Sequence, residues 1–495
     1  MNMIDANKIN LFLKGIEKLS QRDFKALGIK RICCDSRIAR EGDLFIALKG
    51  TVCDGHDFLK DVALKGVKFA VVERNTPAGE SLLQLIVPDT HSAAVVLADN
   101  FYGSPSKRLN VVGITGTNGK TTTSFLIGDI LRACGKSPGL IGTIFYDTGE
   151  KVSSINTTPG PLHVQDLMRR MVDNGMSHAV MEVSSHGLVQ RRVDKVNFDI
   201  AVLTNISSDH LDYHKDHADY VEAKSRLFKL LKPKGTAVLN GDDQFCKIME
   251  KATRGNVLTY GLGDNSHVRA SKVRLKGTGS TFVVTTPKGK LDIETRLIGM
   301  YNVYNILAAI GVGVVENLNL ELIEDGIRNL DLVPGRMERI DRGQPFNIFV
   351  DYAHTDDALD KALSALRGLT KGRLVALFGC GGDRDSSKRA RMGSVASRMA
   401  DISILTSDNP RSEDPRHIIR EIEAGFEDID RYVIHVDRRD AIRAALETAR
   451  QGDTVLIAGK GHENYQIIGE EHVSFDDRVV VREVLSEIPV VIDKG

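Results

Sequence analysis

At 495 residues the chain is too long for one ordinary core, and typical domain sizes favour two to four domains. Hydrophobic residues make up 42% and charged residues 27%, which excludes a disordered or fibrous chain. Lys plus Arg (66) balances Asp plus Glu (66), so no global field favours a polyanion such as nucleic acid, and any anion site must be local.

The cysteines at 33, 34, 53, 134, 246 and 380 form no Cys-x-x-Cys pair, as expected of reduced thiols in a cytoplasmic enzyme. No basic segment leads into an apolar core at the start, and no apolar run reaches the roughly 18 residues of a membrane span. The expectation is a cytoplasmic monomer with no membrane or nucleic-acid partner.

Residues 1–108 mix short apolar strands (31–34, 43–47, 67–72, 85–87) with helical stretches near 57–64 and 91–101. The small, polar, proline-interrupted run 103–108 closes this first domain. From 109 to 334, β-branched strands alternate with amphipathic helices: 109–114, then 119–134; 178–183; 198–206, then 217–231; and 236–240. Such alternation indicates a mostly parallel sheet with crossover helices. Residues 264–297 alternate apolar and polar side chains between Gly and Pro turns, which predicts appended antiparallel strands; a helix follows over 301–316. Pro334-Gly335 opens the third domain, 335–495, where strands 346–351, 373–379, 401–405, 432–436 and 453–458 alternate with helices 356–367, 387–400, 415–426 and 438–450. The expected fold is α/β in three domains, with a phosphate-loop-containing, mostly parallel central sheet and a doubly wound, Rossmann-like C-terminal domain. In such sheets ligands sit beyond the carboxyl ends of strands, so the loops after 351, 379, 405 and 458 are the informative ones.

The segment Gly116-Thr117-Asn118-Gly119-Lys120-Thr121-Thr122 lies between an apolar strand and a helix whose apolar face is Leu126, Ile127, Ile130 and Leu131. Backbone N–H groups at such a turn cradle phosphates, a lysine neutralises the β/γ-phosphates, and the Thr121 hydroxyl suits Mg²⁺. The ordinary Walker spacing wants glycine where Ile114 stands. Glu182 and His210 lie at or after the ends of neighbouring strands and are candidate metal ligands. A kinase, a nucleotide switch and a ligase all remain open at this point.

Six ordered motifs then carry a family resemblance: Gly-Ile-Thr-Gly-Thr-Asn-Gly-Lys-Thr-Thr (113–122), Met-Glu-Val-Ser-Ser-His-Gly-Leu (181–188), Asn-Ile-Ser-Ser-Asp-His-Leu-Asp-Tyr-His (205–214), Ala-Lys-Ser-Arg-Leu-Phe (223–228), Asp-Tyr-Ala-His (351–354) and Gly-Lys-Gly-His-Glu (459–463). Together they resemble the Mur ligases of peptidoglycan synthesis, over about residues 31–478. The resemblance implies a UDP-binding N-terminal domain, a central ATPase and a C-terminal domain that rotates to close the site. It implies ATP and two Mg²⁺ ions, with Glu182, His210 and a carbamylated Lys224 joining Thr121 as ligands, and Lys120, Lys224 and His210 as catalytic residues. Asn302, Arg336, Asp351 and His354 resemble residues around adenine, ribose and phosphates. Asn156, Thr157, Thr158, Ser184, Gln190 and Arg192 match positions that hold the nucleotide substrate, and Ser36 lies in a segment like the uridine-binding one.

Asp408-Asn409-Pro410-Arg411 resembles the motif of diaminopimelate-adding members, with Arg389, Gly459 and Glu463 completing the pocket. The implied substrates are UDP-N-acetylmuramoyl-L-alanyl-D-glutamate and meso-diaminopimelate, whose distal carboxylate suits a bidentate guanidinium. Relatives that add lysine lack that arginine. Folylpolyglutamate synthetase shares the ATPase motifs, but the Asp35-Ser36-Arg37 domain argues against it. One departure stands out: Asp356-Asp357 replaces the usual Pro-Asp after Tyr-Ala-His-Thr, and an altered local turn is expected there.

Overall fold

The computed structural model describes residues 15–50, 53–77, 82–207 and 213–488. Three parallel-rich sheets follow one another along the chain. The first contains Arg31–Cys33, Asp43–Ile46, Phe69–Val72 and Leu83–Ile86, all parallel and in sequence order. Helix Thr90–Tyr102 covers it through Ala93, Ala94 and Leu97. Asp89 caps that helix by accepting from His91 N at 3.0 Å.

In the second sheet seven parallel strands lie side by side: Val268–Lys276, Asn256–Gly261, Leu231–Asn240, Phe198–Leu203, Asn110–Thr115, His178–Glu182 and Pro138–Ile141. Antiparallel strands extend both edges. Gly279–Thr286 and Gly289–Thr295 are the extension read from 264–297, whereas Phe145–Asp147 and Lys151–Ser153 are too short to give a periodic signal. Alternate residues feed two cores. Val112, Ile114, Val180, Ile200 and Val202 pack under helices Lys120–Ala133 and Met300–Val315. Val111, Ala179, Met181, Ala201 and Leu203 pack under Pro161–Asp173 and His217–Lys229. Burial on both faces is why these strands read as continuous apolar runs.

The third sheet runs Glu338–Arg339, Asn347–Asp351, Thr454–Ala458, Leu374–Phe378, Ile402–Leu405 and Tyr432–Ile434. Every pair but the first is parallel. Thr454–Ala458, last in sequence, inserts between the first two long strands, so the loops after 351, 378, 405 and 458 emerge on one edge. Ile298, from the segment before helix Met300–Val315, is buried in this sheet's core with Met337, Phe349 and Leu359. The second and third sheets are therefore joined by apolar packing as well as by the chain.

The residue expected to disturb the Asp356 turn starts a regular helix, Asp356–Arg367. Thr355 caps it by accepting from Ala358 N at 3.2 Å, and Asp356 is a first-turn acid that pairs with Arg391 at 3.2 Å. An acid at this position is stabilised by the helix dipole, which compensates for the missing proline ring.

Arg438 and Asp477, each at the first position of a helix, are completely buried and joined by two hydrogen bonds of 2.8 Å. The same guanidinium donates to Ala458 O at 2.9 Å and Ser407 O at 3.3 Å, the backbone of two of the converging loops. Removing only the carboxylate leaves a buried, uncompensated cation. Asp477→Ala is expected to cost about 3–5 kcal/mol of unfolding free energy in a denaturant titration. An unchanged unfolding midpoint would contradict the buried pair.

Candidate active site

Strand Asn110–Thr115 ends in the loop that becomes helix Lys120–Ala133. Gly116 has φ 146°, and a Cβ there would sit 1.9 Å from the Thr204 hydroxyl; Gly119 has φ 88°, and its Cβ would lie 2.2 Å from Asn305 Oδ1. Both positions require glycine. The neighbouring strand end pins the loop: Thr117 N donates to Asn205 O at 2.7 Å, and Asn118 O accepts from Thr204 Oγ1 at 2.6 Å and Asn205 Nδ2 at 2.9 Å. Thr117 Oγ1 lies 3.0 Å from the Tyr220 hydroxyl. Lys120 Nζ folds back onto the carbonyls of Gly116 and Thr117, each at 2.9 Å. Lys224 Nζ, from the helix His217–Lys229, reaches Gly116 O at 2.8 Å over the Tyr220 ring. Two amines and a helix N-terminus thus converge on one backbone turn, the arrangement of an anion cradle.

Beside it, Thr121 Oγ1 donates to Glu182 Oε2 at 3.0 Å, and Thr143 holds the same carboxylate through its N (2.9 Å) and hydroxyl (2.9 Å). These are hard oxygen donors of the kind Mg²⁺ takes. His210 lies outside the described residues.

The third sheet closes the cradle. Asp357 accepts from Asn118 Nδ2, Ser207 Oγ and Lys361 Nζ at 2.8, 2.8 and 2.7 Å. Arg336 donates to Thr121 Oγ1 at 3.2 Å and lies over the Tyr352 ring. Asp351 accepts from Met337 N and Ala353 N, and its burial pushes the carboxyl above its usual range despite Arg336. His354, its Nδ1 on Tyr352 O, lines the resulting cavity with Asn118, Gly119, Thr122, Arg336 and Asp351. Asn302 does not line it: its amide is spent on Ile298 O and on Asn305, and Asn305 faces the loop instead. The two asparagines share the pattern Asn-x-x-Asn, one helical turn apart, so the helix phase was the available signal.

A second group surrounds the far side of Glu182. Thr158 Oγ1 donates to Glu182 O and accepts from Ser184 N, each at 2.9 Å, and Thr157 Oγ1 meets Thr143 Oγ1 at 3.0 Å. Ser184 Oγ caps helix Ser185–Val189. Arg192 donates to Thr158 O and to Gln190 Oε1, and Gln190 Nε2 donates to the Tyr213 hydroxyl at 3.1 Å. Asn156 joins through its carbonyl, 2.6 Å from the Tyr146 hydroxyl. Ser36 lies apart from this group on the first sheet, in a turn closed by the exposed Asp35–Arg37 pair.

At the third sheet's edge, Asn409 donates to Glu463 Oε2 (2.9 Å) and accepts from Lys460 Nζ (3.2 Å); Lys460 also reaches Glu463 at 3.0 Å. Burial pushes the Glu463 carboxyl up against the opposing pull of Lys460. Gly459 has φ 111°, and a Cβ there would come within 2.5 Å of Asp408 Oδ2. Pro410 hands the chain to Arg411, which adopts φ 52° and donates to Gly382 O at 2.7 Å. Arg389 is not brought into this group. It is 1% exposed, and Glu413 and Glu421 take up its guanidinium. The arginine beside Arg411 is instead Arg384: both lie against Gly381, and the nearby Arg384 charge adds to burial in lowering the Arg411 pKa. Neither guanidinium has an ion-pair partner among the described residues. Arg384 sits in Gly-Gly-Asp-Arg immediately after strand Leu374–Phe378, a loop whose position alone marked it as informative.

Descriptions of known families match in three blocks: the "Mur ligase family, catalytic domain" over 28–102, the "Mur ligase middle domain" over 114–313 and the "Mur ligase, glutamate ligase domain" over 335–461. A Geobacillus kaustophilus protein named UDP-N-acetylmuramoyl-L-alanyl-D-glutamate--2,6-diaminopimelate ligase is 46% identical over 462 residues, 92% of this chain and 94% of its own. The chain belongs to the Mur ligase family. A Listeria monocytogenes protein of the same name is 42% identical over 483 residues, covering 96% of this chain and 98% of that one. Among solved Mur ligases, one so named superposes with TM-score 0.65 at 33% identity, covering 93% and 95% of the two chains. A Thermotoga maritima MurF structure in complex with ADP, at 20% identity and TM-score 0.65 over 92% and 96%, shares the fold. Among the described residues no helix is long and apolar enough to cross a membrane.

His462 packs at a tilt against Tyr352, ring centroids 5.0 Å apart, with its buried Nδ1 lacking a hydrogen-bond partner among the described residues. Burial, helped by Arg336, Arg478 and Lys460, lowers its pKa from 6.5 to about 3. Between those values the unfolded chain binds a proton that the folded chain refuses, so this residue's contribution to stability, complete above pH 6.5, is lost as pH falls toward 3. The stability of His462→Gln relative to the parent is therefore expected to rise as pH is lowered through that window. A difference independent of pH would contradict the assignment.

Proposed function

We propose that this chain is an ATP-dependent ligase joining the D-glutamyl carboxyl of UDP-N-acetylmuramoyl-L-alanyl-D-glutamate to an amine of meso-diaminopimelate. The observation that carries the choice of amine is the pair Arg411 and Arg384, neighbouring side chains beside Gly381 that form no ion pair with a carboxylate among the described residues. A second carboxylate on the incoming amino acid supplies what they lack, and lysine does not. The names of the relatives agree with this choice. The working units are 1–108 for the uridine end, 109–334 for ATP and the dipeptide, and 335–495 for the amino acid.

A carboxylate does not react with an amine at neutral pH, since oxide is a poor leaving group. In the proposed reaction its oxygen attacks the γ-phosphorus of ATP, the bond to the β-γ bridging oxygen breaks, and ADP departs from an acyl phosphate. The neutral amine then attacks the acyl carbon, inorganic phosphate leaves, and the nitrogen gives up a proton. Phosphoryl transfer of this kind is catalysed mainly by position and charge. Lys120 and the loop N–H groups orient the phosphates, and Asn118, clamped by Asp357, brings the third sheet onto them. Arg336, Asp351, Tyr352 and His354 wall the nucleotide. Thr158, Ser184, Gln190 and Arg192 present donors and acceptors to the dipeptide.

Thr121 and Glu182 would hold Mg²⁺, with His210 and Lys224 as further ligands; bound there, the metal supplies neutralisation of phosphate charge. Lys224 serves as a ligand only once its amine has taken up CO₂ and lost a proton to become a carbamate. Lys224 is 1% exposed and its Nζ lies 2.8 Å from Gly116 O, on the phosphate-loop side of its helix.

Purified protein given ATP, Mg²⁺ and the UDP-dipeptide is expected to form amide product with diaminopimelate far faster than with lysine. Preference for lysine would sink the proposal. Arg411→Ala should lower kcat/KM for diaminopimelate by about 10- to 100-fold, the usual worth of a charge-assisted bond, without changing ADP binding. Lys224→Ala should be inactive and partly restored by short carboxylic acids, whereas a fully active Lys224→Ala would exclude the carbamate.

A further inference from the structure

The cavity walled by Asn118, Gly119, Arg336 and Asp351 has a free volume of about 90 Å³. Beside it lies a larger one, about 390 Å³, open to solvent and lined by Asn240, Leu275, Tyr304, Ser364 and Ala365. Tyr301, Asn205 and Lys361 line both, so the Tyr301 ring is the largest side chain common to the two. The polar lining of the first cavity, loop amides and Arg336, suits phosphates; its apolar lining, the Tyr301 ring with Ala358 and Ala362, is left for the flat base.

Packing alone holds this ring. Its hydroxyl is buried and has no hydrogen-bond partner among the described residues. Gly299, at φ 92°, gives it room: a Cβ there would lie 2.8 Å from the ring's Cε1 and 3.2 Å from Ala365 Cβ. The ring therefore fills the seam between the second sheet's helix Met300–Val315 and the third sheet's helix Asp356–Arg367.

We infer that Tyr301 is a specificity-determining wall: it seats the nucleobase in the first cavity and shuts off the second, so a bulky substituent on the base's exocyclic amine is refused by this one ring. The inference rests on the ATP reading above. The residues on the far side of the ring, Asn240, Tyr304, Ser364 and Ala365, play no part in that reading, so the second cavity is volume that a larger purine nucleotide reaches once the ring is gone.

The test uses the full chain with the UDP-dipeptide, diaminopimelate and Mg²⁺, and compares ATP with N6-benzyl-ATP. The parent is expected to use ATP and to discriminate against the analogue. Tyr301→Ala should shift the ratio of kcat/KM values toward the analogue by about tenfold or more, the scale on which a filled pocket discriminates. Adding Ser364→Phe, which fills the second cavity, should reverse the shift. Tyr301→Leu should move the ratio in the same direction with less loss of packing, so poor folding of Tyr301→Ala does not shelter the proposal. Calorimetric binding of N6-benzyl-ADP provides a readout independent of turnover. An unchanged ratio and unchanged analogue binding in both variants overturn the wall. So does a Ser364→Phe single variant with a severalfold higher KM for ATP, since the base would then already occupy the second cavity. A parent that binds ADP yet forms no amide overturns the ligase reading while leaving the wall to be decided by binding.

Discussion

The close approach of the 116–119 turn to the end of strand Phe198–Leu203 is the constraint on which the site is built. It exists because Gly116 has no side chain: any Cβ would collide with the Thr204 hydroxyl. That contact aims the Gly116 carbonyl at both Lys120 and Lys224, and it leaves Asn118 projecting toward Asp357. The convergence of the two lysines and the clamp between the second and third sheets are thus consequences of one steric fact.

Much of this was legible in the sequence. Strands buried on both faces read as unbroken apolar runs, and helices such as 356–367 were read from their alternation with strands, while the Thr355 cap that starts this one came only with the structure. The short edge strands Phe145–Asp147 and Lys151–Ser153 did not, because three residues carry no period. The loops after the parallel strands of the third sheet emerge on one edge, as topology alone dictates. Which side chain within a loop faces the edge is a different matter.

Arg389 and Arg384 show the difference. Both follow the same strand within a short stretch rich in charge, and sequence offers no way to see that Glu413 and Glu421, from a later segment, neutralise one of them. A buried arginine held by two carboxylates is a structural device; an arginine with no such partner is available to a ligand. The same distinction separates Asn302 from Asn305. In each case the decision lies in long-range pairing, which local pattern does not encode.

The insertion of Thr454–Ala458 between the two strands that precede it by so many residues bears on how the protein is made. Asn347 must wait for Thr454 before its strand has a parallel neighbour on that side. As the ribosome delivers the chain from the N-terminus, the 116–119 turn and its whole sheet are available long before the third sheet can be completed. Chains interrupted before Thr454 would carry the 116–119 turn on a complete second sheet, while the third sheet lacked the strand that joins Asn347–Asp351 to Leu374–Phe378.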